Sequence, residues 1–223
     1  SPGVHLEHIP HSVDTSVFKK YSDVDLDKFK KESLKEQDQN KFIFFWNNRN
    51  ARRKQSGSLI YWFKDFLDIV GHDKAILIMH TDPKDPNGQD LNAILENLDI
   101  DEGQVLISKN KYTPELLAMM YNIVDCTINI SDAEGFGLAT LESLACETPI
   151  IVNMTGGLQE QVINEGEWLG IGLEPTSKVI IGSQEVPYIY EDRLSKEVVV
   201  NALLKMFNMT KEERAVLGKK GRE

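Results

Sequence analysis

Five short, predominantly apolar runs separated by stretches with helical spacing constrain this chain more than any other feature. They occupy residues 42–46, 75–80, 105–107, 124–130 and 150–153. A strand covered by helices on both faces reads as such a run, whereas a half-exposed strand alternates apolar with polar residues. Helices are expected between the runs, near residues 57–70, 90–97, 113–122, 138–146 and 157–163. Thr113-Pro114-Glu115 is a start signal, because Thr caps a helix and Pro fits its first turn. The alternation implies an α/β fold, a Rossmann-like doubly wound parallel sheet that binds ligands beyond the carboxyl ends of its strands.

The ends differ from the middle. Residues 1–17 hold no complete element and read as a linker segment, leaving residues 18–223 as the domain. Residues 19–40 form a charged helical stretch that can pack only through Leu26, Phe29 and Leu34. Residues 164–192 are broken by Gly166, Gly170, Gly172, Pro175, Gly182 and Pro187, which suggests an inserted hairpin or long loop. Two helical patterns, 193–208 and 211–219, close the chain. With 25 Lys and Arg against 35 Asp and Glu, the net charge of −10 argues against generic binding to nucleic acid or an anionic membrane. A bound polyanion would need a locally basic site. Cys126 and Cys146 are the two cysteines, too few for a disulfide framework and unsuited to structural zinc. No apolar run reaches the roughly 20 residues of a membrane span. A cytoplasmic setting is expected.

Phosphate chemistry is suggested after the fourth run, where Glu134-Gly135-Phe136-Gly137-Leu138 leads into a helix. Glycines let backbone N–H groups approach an anion, and a helix start adds about half a positive charge. A plain tight turn would look the same. Glu134 and Glu142 flank this opening, and carboxylates suit sugar hydroxyls better than phosphate, although both glutamates are also compatible with a solvated surface. The locally basic site follows the first run, where Arg49, Arg52, Arg53 and Lys54 cluster. Arg49 and Lys54 are the candidates for neutralising a diphosphate, while Arg52 and Arg53 suit a solvated helix start. After the fifth run, Gly156 and Gly157 repeat the pattern of glycines opening a helix, with Glu160 close behind. His5, His8 and His11 suit no single regular element, and no metal site is expected. His80 reads as structural or solvent-facing, and Trp46 as a strand residue near the crevice edge.

Taken together, Glu134 through Glu142, followed by Gly156, Gly157 and Glu160, resemble the donor site of glycosyltransferase family 4, whose two glutamates are separated by seven residues. Residues 9–14 with Phe18 resemble the linker entering that family's C-terminal domain, and residues 49–54 its basic phosphate motif. The resemblance implies the C-terminal half of a GT-B fold. It gives Glu134 to the hydroxyls of the transferred sugar, Glu142 to the ribose, and Arg49 with Lys54 to the diphosphate. Backbone N–H groups of Gly135, Phe136, Gly137 and Leu138 would complete the cradle, and the base would lie near Ser108 and Tyr112.

Two positions depart from the pattern: Asn48 and Glu147 stand where the family usually has glycine. The chain would accordingly be the donor half of a retaining, hexosyltransferase-type enzyme, using a nucleoside-diphosphate sugar and neither cofactor nor metal. Its acceptor, a glycan, lipid or protein, would be held by an N-terminal domain absent from this chain, leaving this half inactive alone. A sugar-nucleotide epimerase of similar fold and a non-catalytic nucleotide- or phosphate-binding module are the alternatives.

Overall fold

The computed structural model describes residues 3, 5, 7, 9 and 11–223. Most of the expected linker lies within that range, but His8 and Pro10 lie outside the described residues. Strands β1 (Phe42–Asn47), β2 (Ala75–His80), β3 (Val105–Ser108), β4 (Cys126–Asn129) and β5 (Ile150–Asn153) fall on the five apolar runs. They pair in parallel in the order β3-β2-β1-β4-β5, and β8 (Ile171–Leu173) adds a sixth strand beside β5. This is the strand order of a doubly wound sheet.

Period two decides which way each strand side chain points. Phe44 and Trp46 of β1 join one core cluster with Phe63 and Phe66, while Ile43 and Phe45 join the other with Tyr121. Helices α2 (Ser56–Val70), α3 (Leu91–Asn97) and α7 (Lys196–Asn208) bury apolar faces on the first side. The second is covered by α1 (Asp23–Ser33), α4 (Pro114–Ile123), α5 (Leu138–Ala145) and α6 (Leu158–Val162). Phe66 meets Phe44 edge-on at 5.6 Å and stacks on Phe63 at 5.6 Å, so truncating it to Ala would cost about 3–5 kcal/mol. Trp46, next to the carboxyl end of β1, is fully buried in this core.

Three expectations change. The charged stretch over 19–40 is helical only across α1, with a single turn of 3-10 helix at Glu36–Asp38. Leu26 is the one buried residue of α1, and helices this short are held by tertiary packing more than by propensity. The sheet's sixth strand was not legible, because Ile171-Gly172-Leu173 is three residues long and interrupted by glycine. Arg193 does not start a helix. It ends β10 (Ile189–Arg193), which pairs antiparallel with β9 (Ser177–Ile181), and Ser195 caps α7 instead. The hairpin expected within 164–192 is therefore present, together with a smaller one formed by β6 (Ile163–Asn164) and β7 (Glu167–Trp168).

The final helix, α8 (Lys211–Arg222), begins in a capping box formed by Thr210 and Glu213. It closes the fold by charge: Arg214 bonds Asp125 at 2.8 Å, and Arg222 donates to the carbonyls of Phe18 and Ala145. Both cysteines are free and buried, and burial pushes the Cys146 thiol up to about 12, so it stays protonated.

Glu147 follows the end of α5 with φ +61°. A helix terminator in the left-handed region favours glycine, and a side chain there costs about 1–2 kcal/mol. Glycine's greater chain entropy offsets about half of that. Glu147→Gly should therefore raise stability by about 0.5–1 kcal/mol, visible as a Tm higher by about 2 °C for a chain of this size. A calorimetric Tm equal to or below that of the parent would contradict this account of the turn.

Candidate functional site

The sheet reverses its winding between β1 and β4, which are neighbours but lead to opposite sides. A crevice opens beyond the carboxyl ends of such a pair. Two loops fill its rim here, one running from Asn48 to Gln55 and the other from Ile130 to Gly137. Two hydrogen bonds tie them together: Asp132 N–H donates to the Arg53 carbonyl at 2.8 Å, and the Arg53 guanidinium donates to the Ala133 carbonyl at 2.6 Å. The consequence is that Lys54 and Glu134, eighty residues apart, form an ion pair with each side chain only 9% exposed. Arg53 also stands 3.6 Å from Glu134.

The glycines divide into two kinds. A Cβ on Gly156 would lie 1.7 Å from the Glu134 carbonyl oxygen, and one on Gly157 would lie 2.8 Å from both the Gly135 carbonyl oxygen and Phe136 Cα. That pair lets two loops pack backbone to backbone, so its visible use is structural, and α6 behind it is only five residues long. Gly137 caps α5 with φ +89° and without a side-chain hydrogen bond. Beside Gly135 the space is open.

Carbonyl partners settle the direction of this loop's N–H groups. Gly157 N–H holds the Gly135 carbonyl at 3.1 Å, and the Gln161 amide holds those of Phe136 and Gly137 at 2.6 and 3.1 Å. In a trans peptide the N–H points opposite to the C=O. The N–H groups of Phe136, Gly137 and Leu138 are thus turned away from α6, at the positive end of α5. This is the arrangement required to bind an anion.

Electrostatics distinguish the two glutamates. Burial pushes the Glu134 carboxyl up, but the Lys54 hydrogen bond and charge, with Arg53, outweigh it and leave the group below its ordinary value. Lys54 is itself drawn below the usual lysine range by burial, only partly offset by Glu134. The mutual attraction therefore keeps the carboxylate ionised, while desolvation costs the ammonium. Glu142 is half-buried, and burial raises its carboxyl despite a 2.8 Å hydrogen bond from the Tyr121 hydroxyl.

Arg49 stands apart from the Lys54 and Glu134 pair. Its exposed guanidinium forks onto Asp85 at 2.7 and 3.2 Å and holds the Asp85 carboxyl far below the carboxylate range. Ser108 and Tyr112 do meet, at the ends of β3 and the turn into α4. The Ser108 hydroxyl donates to the Tyr112 hydroxyl at 2.9 Å. His80 joins them, stacked on Tyr112 with ring centroids 4.5 Å apart and 3.1 Å from Ser108. It is half-buried, and burial lowers its pKa, so the ring is neutral at pH 7. His11, in the expected linker, packs its ring 5.0 Å from Phe136.

Several residues escaped the sequence. Arg53 stands beside Lys54 and Glu134 while remaining exposed, and Arg52, also exposed, forks onto Glu191 of β10 at 2.5 and 3.1 Å. Arg193 bonds Glu191 at 2.6 Å and approaches Asp132 at 3.4 Å, while Asp192 accepts from Thr155 at 2.7 Å. The β9–β10 hairpin thereby holds the basic loop, the glycine loop and the β5 loop together. The pairs that join the hairpin to the loops lie 37 to 139 residues apart and leave no local signal. Two cavities of about 500 and 580 Å³ lie elsewhere, one against α2 and α3 and one at the amino ends of β4 and β5. The first is mostly apolar and the second is on the wrong edge of the sheet for a ligand of this fold.

The model of a family described as glycosyl transferases group 1 matches residues 25–223. N-acetyl-alpha-D-glucosaminyl L-malate synthase of Bacillus anthracis is 25% identical over 215 residues, which are 96% of this chain and 52% of that protein. The chain thus spans about half the length of that curated relative. Sucrose-phosphate synthase from Thermosynechococcus elongatus superposes with a TM-score of 0.72 at 22% identity, covering 96% of this chain and 46% of that one. The C-terminal domain of LpcC, a glycosyl transferase group 1 family protein from Francisella tularensis, superposes at 0.68 with 17% identity and 95% coverage of both chains. HepE of Anabaena, solved with UDP and glucose, gives 0.70 at 14% identity over 94% of this chain and 49% of that one. These likenesses place the fold among the GT-B glycosyltransferases.

The Glu134 pair makes stability depend on acid. A carboxyl with a folded pKa below its ordinary 4.5 contributes stability that is complete above 4.5 and is lost as pH falls through the folded value. Glu134→Gln should cost about 1–3 kcal/mol in urea unfolding at pH 7, and the gap from the parent should narrow as pH falls below 4.5. A gap that persists unchanged in acid would show that the pair does not stabilise the fold.

Proposed function

The chain belongs to the glycosyl transferases group 1 family, and from that premise we propose that it is the donor-binding, C-terminal half of a retaining GT-B glycosyltransferase of family 4. The ligand is a nucleoside-diphosphate sugar, held beyond β1 and β4 without a divalent metal. The observation that carries this reading is the junction of three groups at one rim: the outward N–H groups at the head of α5, Lys54, and Glu134.

A diphosphate lying against α5 meets the helix dipole and the N–H groups of Phe136, Gly137 and Leu138. Lys54 supplies positive charge beside it, and Arg49 exchanges Asp85 for a phosphate oxygen. Together they stabilise the charge that builds on the diphosphate as an acceptor hydroxyl displaces it from the sugar. Glu134, freed from Lys54 by the phosphate, accepts hydrogen bonds from sugar hydroxyls. Glu142 takes the ribose, and the base rests toward Ser108, Tyr112 and His80. The acceptor is held by the other half of the enzyme. HepE, solved with UDP and with UDP-glucose, supports a uridine donor.

A thermal-shift screen with UDP-, GDP- and ADP-sugars is expected to single out one base, since a ligand that binds only the folded state raises Tm. Arg49→Ala should then weaken binding of the matching nucleoside diphosphate by about 1.5–3 kcal/mol, the range for a hydrogen bond to a charged group. Isothermal titration showing unchanged affinity would remove Arg49 from the site, and no shift with any nucleotide would remove the donor reading itself.

A further inference from the structure

Tyr121 lies on α4, outside every motif that marks the crevice, yet its hydroxyl bridges two elements of the rim. The ring is fully buried, 5.3 Å from Phe45 and 6.3 Å from Phe18. The Thr148 hydroxyl donates to its backbone carbonyl at 2.6 Å. With ring and backbone both held, the hydroxyl has one position. There it meets the Asn47 amide at 2.8 Å and Glu142 Oε2 at 2.8 Å.

A phenol has one proton to give. An ionised carboxylate only accepts, so the proton goes to Glu142, and the contact with Asn47 must be filled by the amide donating. The direction of both bonds follows without freedom. Asn47 ends β1 and Glu142 lies on α5, so the phenol ties the helix carboxylate to the strand beside the switch point.

We propose that Tyr121 is a positioning residue for the donor site. It occupies Oε2 of Glu142, fixes the carboxylate's rotation, and leaves Oε1 as the acceptor presented to the ribose hydroxyls. This rests on the assignment of Glu142 to the ribose. An untethered glutamate would have to lose side-chain freedom on binding, and a tethered one has already lost it. Tyr121 touches no ligand, so its effect should appear as a loss of hydroxyl discrimination and not as a general loss of affinity.

The test compares binding of UDP, 2′,3′-dideoxy-UDP and inorganic pyrophosphate to the parent, Tyr121→Phe and Glu142→Ala, by isothermal titration. GDP and its dideoxy form replace the uridine pair if the nucleotide screen selects guanine. The parent should prefer the ribose nucleotide by roughly tenfold or more, as expected for a charge-assisted hydrogen bond. Glu142→Ala should abolish the preference and Tyr121→Phe should cut it to about twofold, with pyrophosphate affinity unchanged in both. A full preference retained by Tyr121→Phe but lost by Glu142→Ala would overturn the positioning role and leave the ribose assignment standing. A preference retained by Glu142→Ala would overturn the ribose assignment, and the inference with it. Equal weakening of all three ligands by Tyr121→Phe would mean a structural role only. If that variant does not fold, Asn47→Asp keeps the ring in place and replaces the donor to the phenol with an acceptor that competes for its one proton, so it should show a reduced preference with pyrophosphate affinity as the control. An unchanged one would overturn the proposal.

Discussion

The parallel pairing of β1 with β4 is the constraint from which the rest of the site follows. Phe44 and Phe45 register with Cys126 and Thr127, so the two strands end together. Every parallel connection must then cross over a face of the sheet, and the chain leaves β1 toward β2 on one side and β4 toward β5 on the other. No crossover covers the gap between them. Their loops meet across it, which is why a lysine and a glutamate distant in sequence form a nearly buried pair.

That pair would be a liability in an ordinary core. Burial drives Lys54 toward its neutral form, and the loss is recovered only in part by attraction to Glu134. The surrounding bonds hold it in place. The β9–β10 hairpin reaches all three rim loops through Glu191, Asp192 and Arg193. Arg52, the partner of Glu191, is more than half exposed, so that contact is worth little alone. The joint effect of the hairpin's contacts is geometric: they fix where the basic loop stands relative to the glycine loop. The segment that looked like an irregular insertion is thus the brace of the rim.

The two glycine pairs show how one sequence pattern can serve two physical ends. Gly137 heads α5, and the bonds made by its own carbonyl and those of Gly135 and Phe136 turn the loop's N–H groups outward. Gly156 and Gly157 have no room for a side chain against residues 134–136. They set the position of the first loop from behind.

The α/β class and the five central strands were legible because burial on both faces leaves a contiguous apolar signature that needs no partner to be recognised. The place of the glycine loop at the start of α5 was legible for a similar reason, since a helix start is marked locally. Tertiary structure alone decided the rest. It brought Arg53 rather than Arg49 to Glu134, stacked His80 on Tyr112, made a sheet strand of Ile171-Gly172-Leu173, and set Tyr121 behind Glu142. Each depends on a contact between residues far apart in the chain, and such contacts have no spacing, period or composition to reveal them before the sheet has formed.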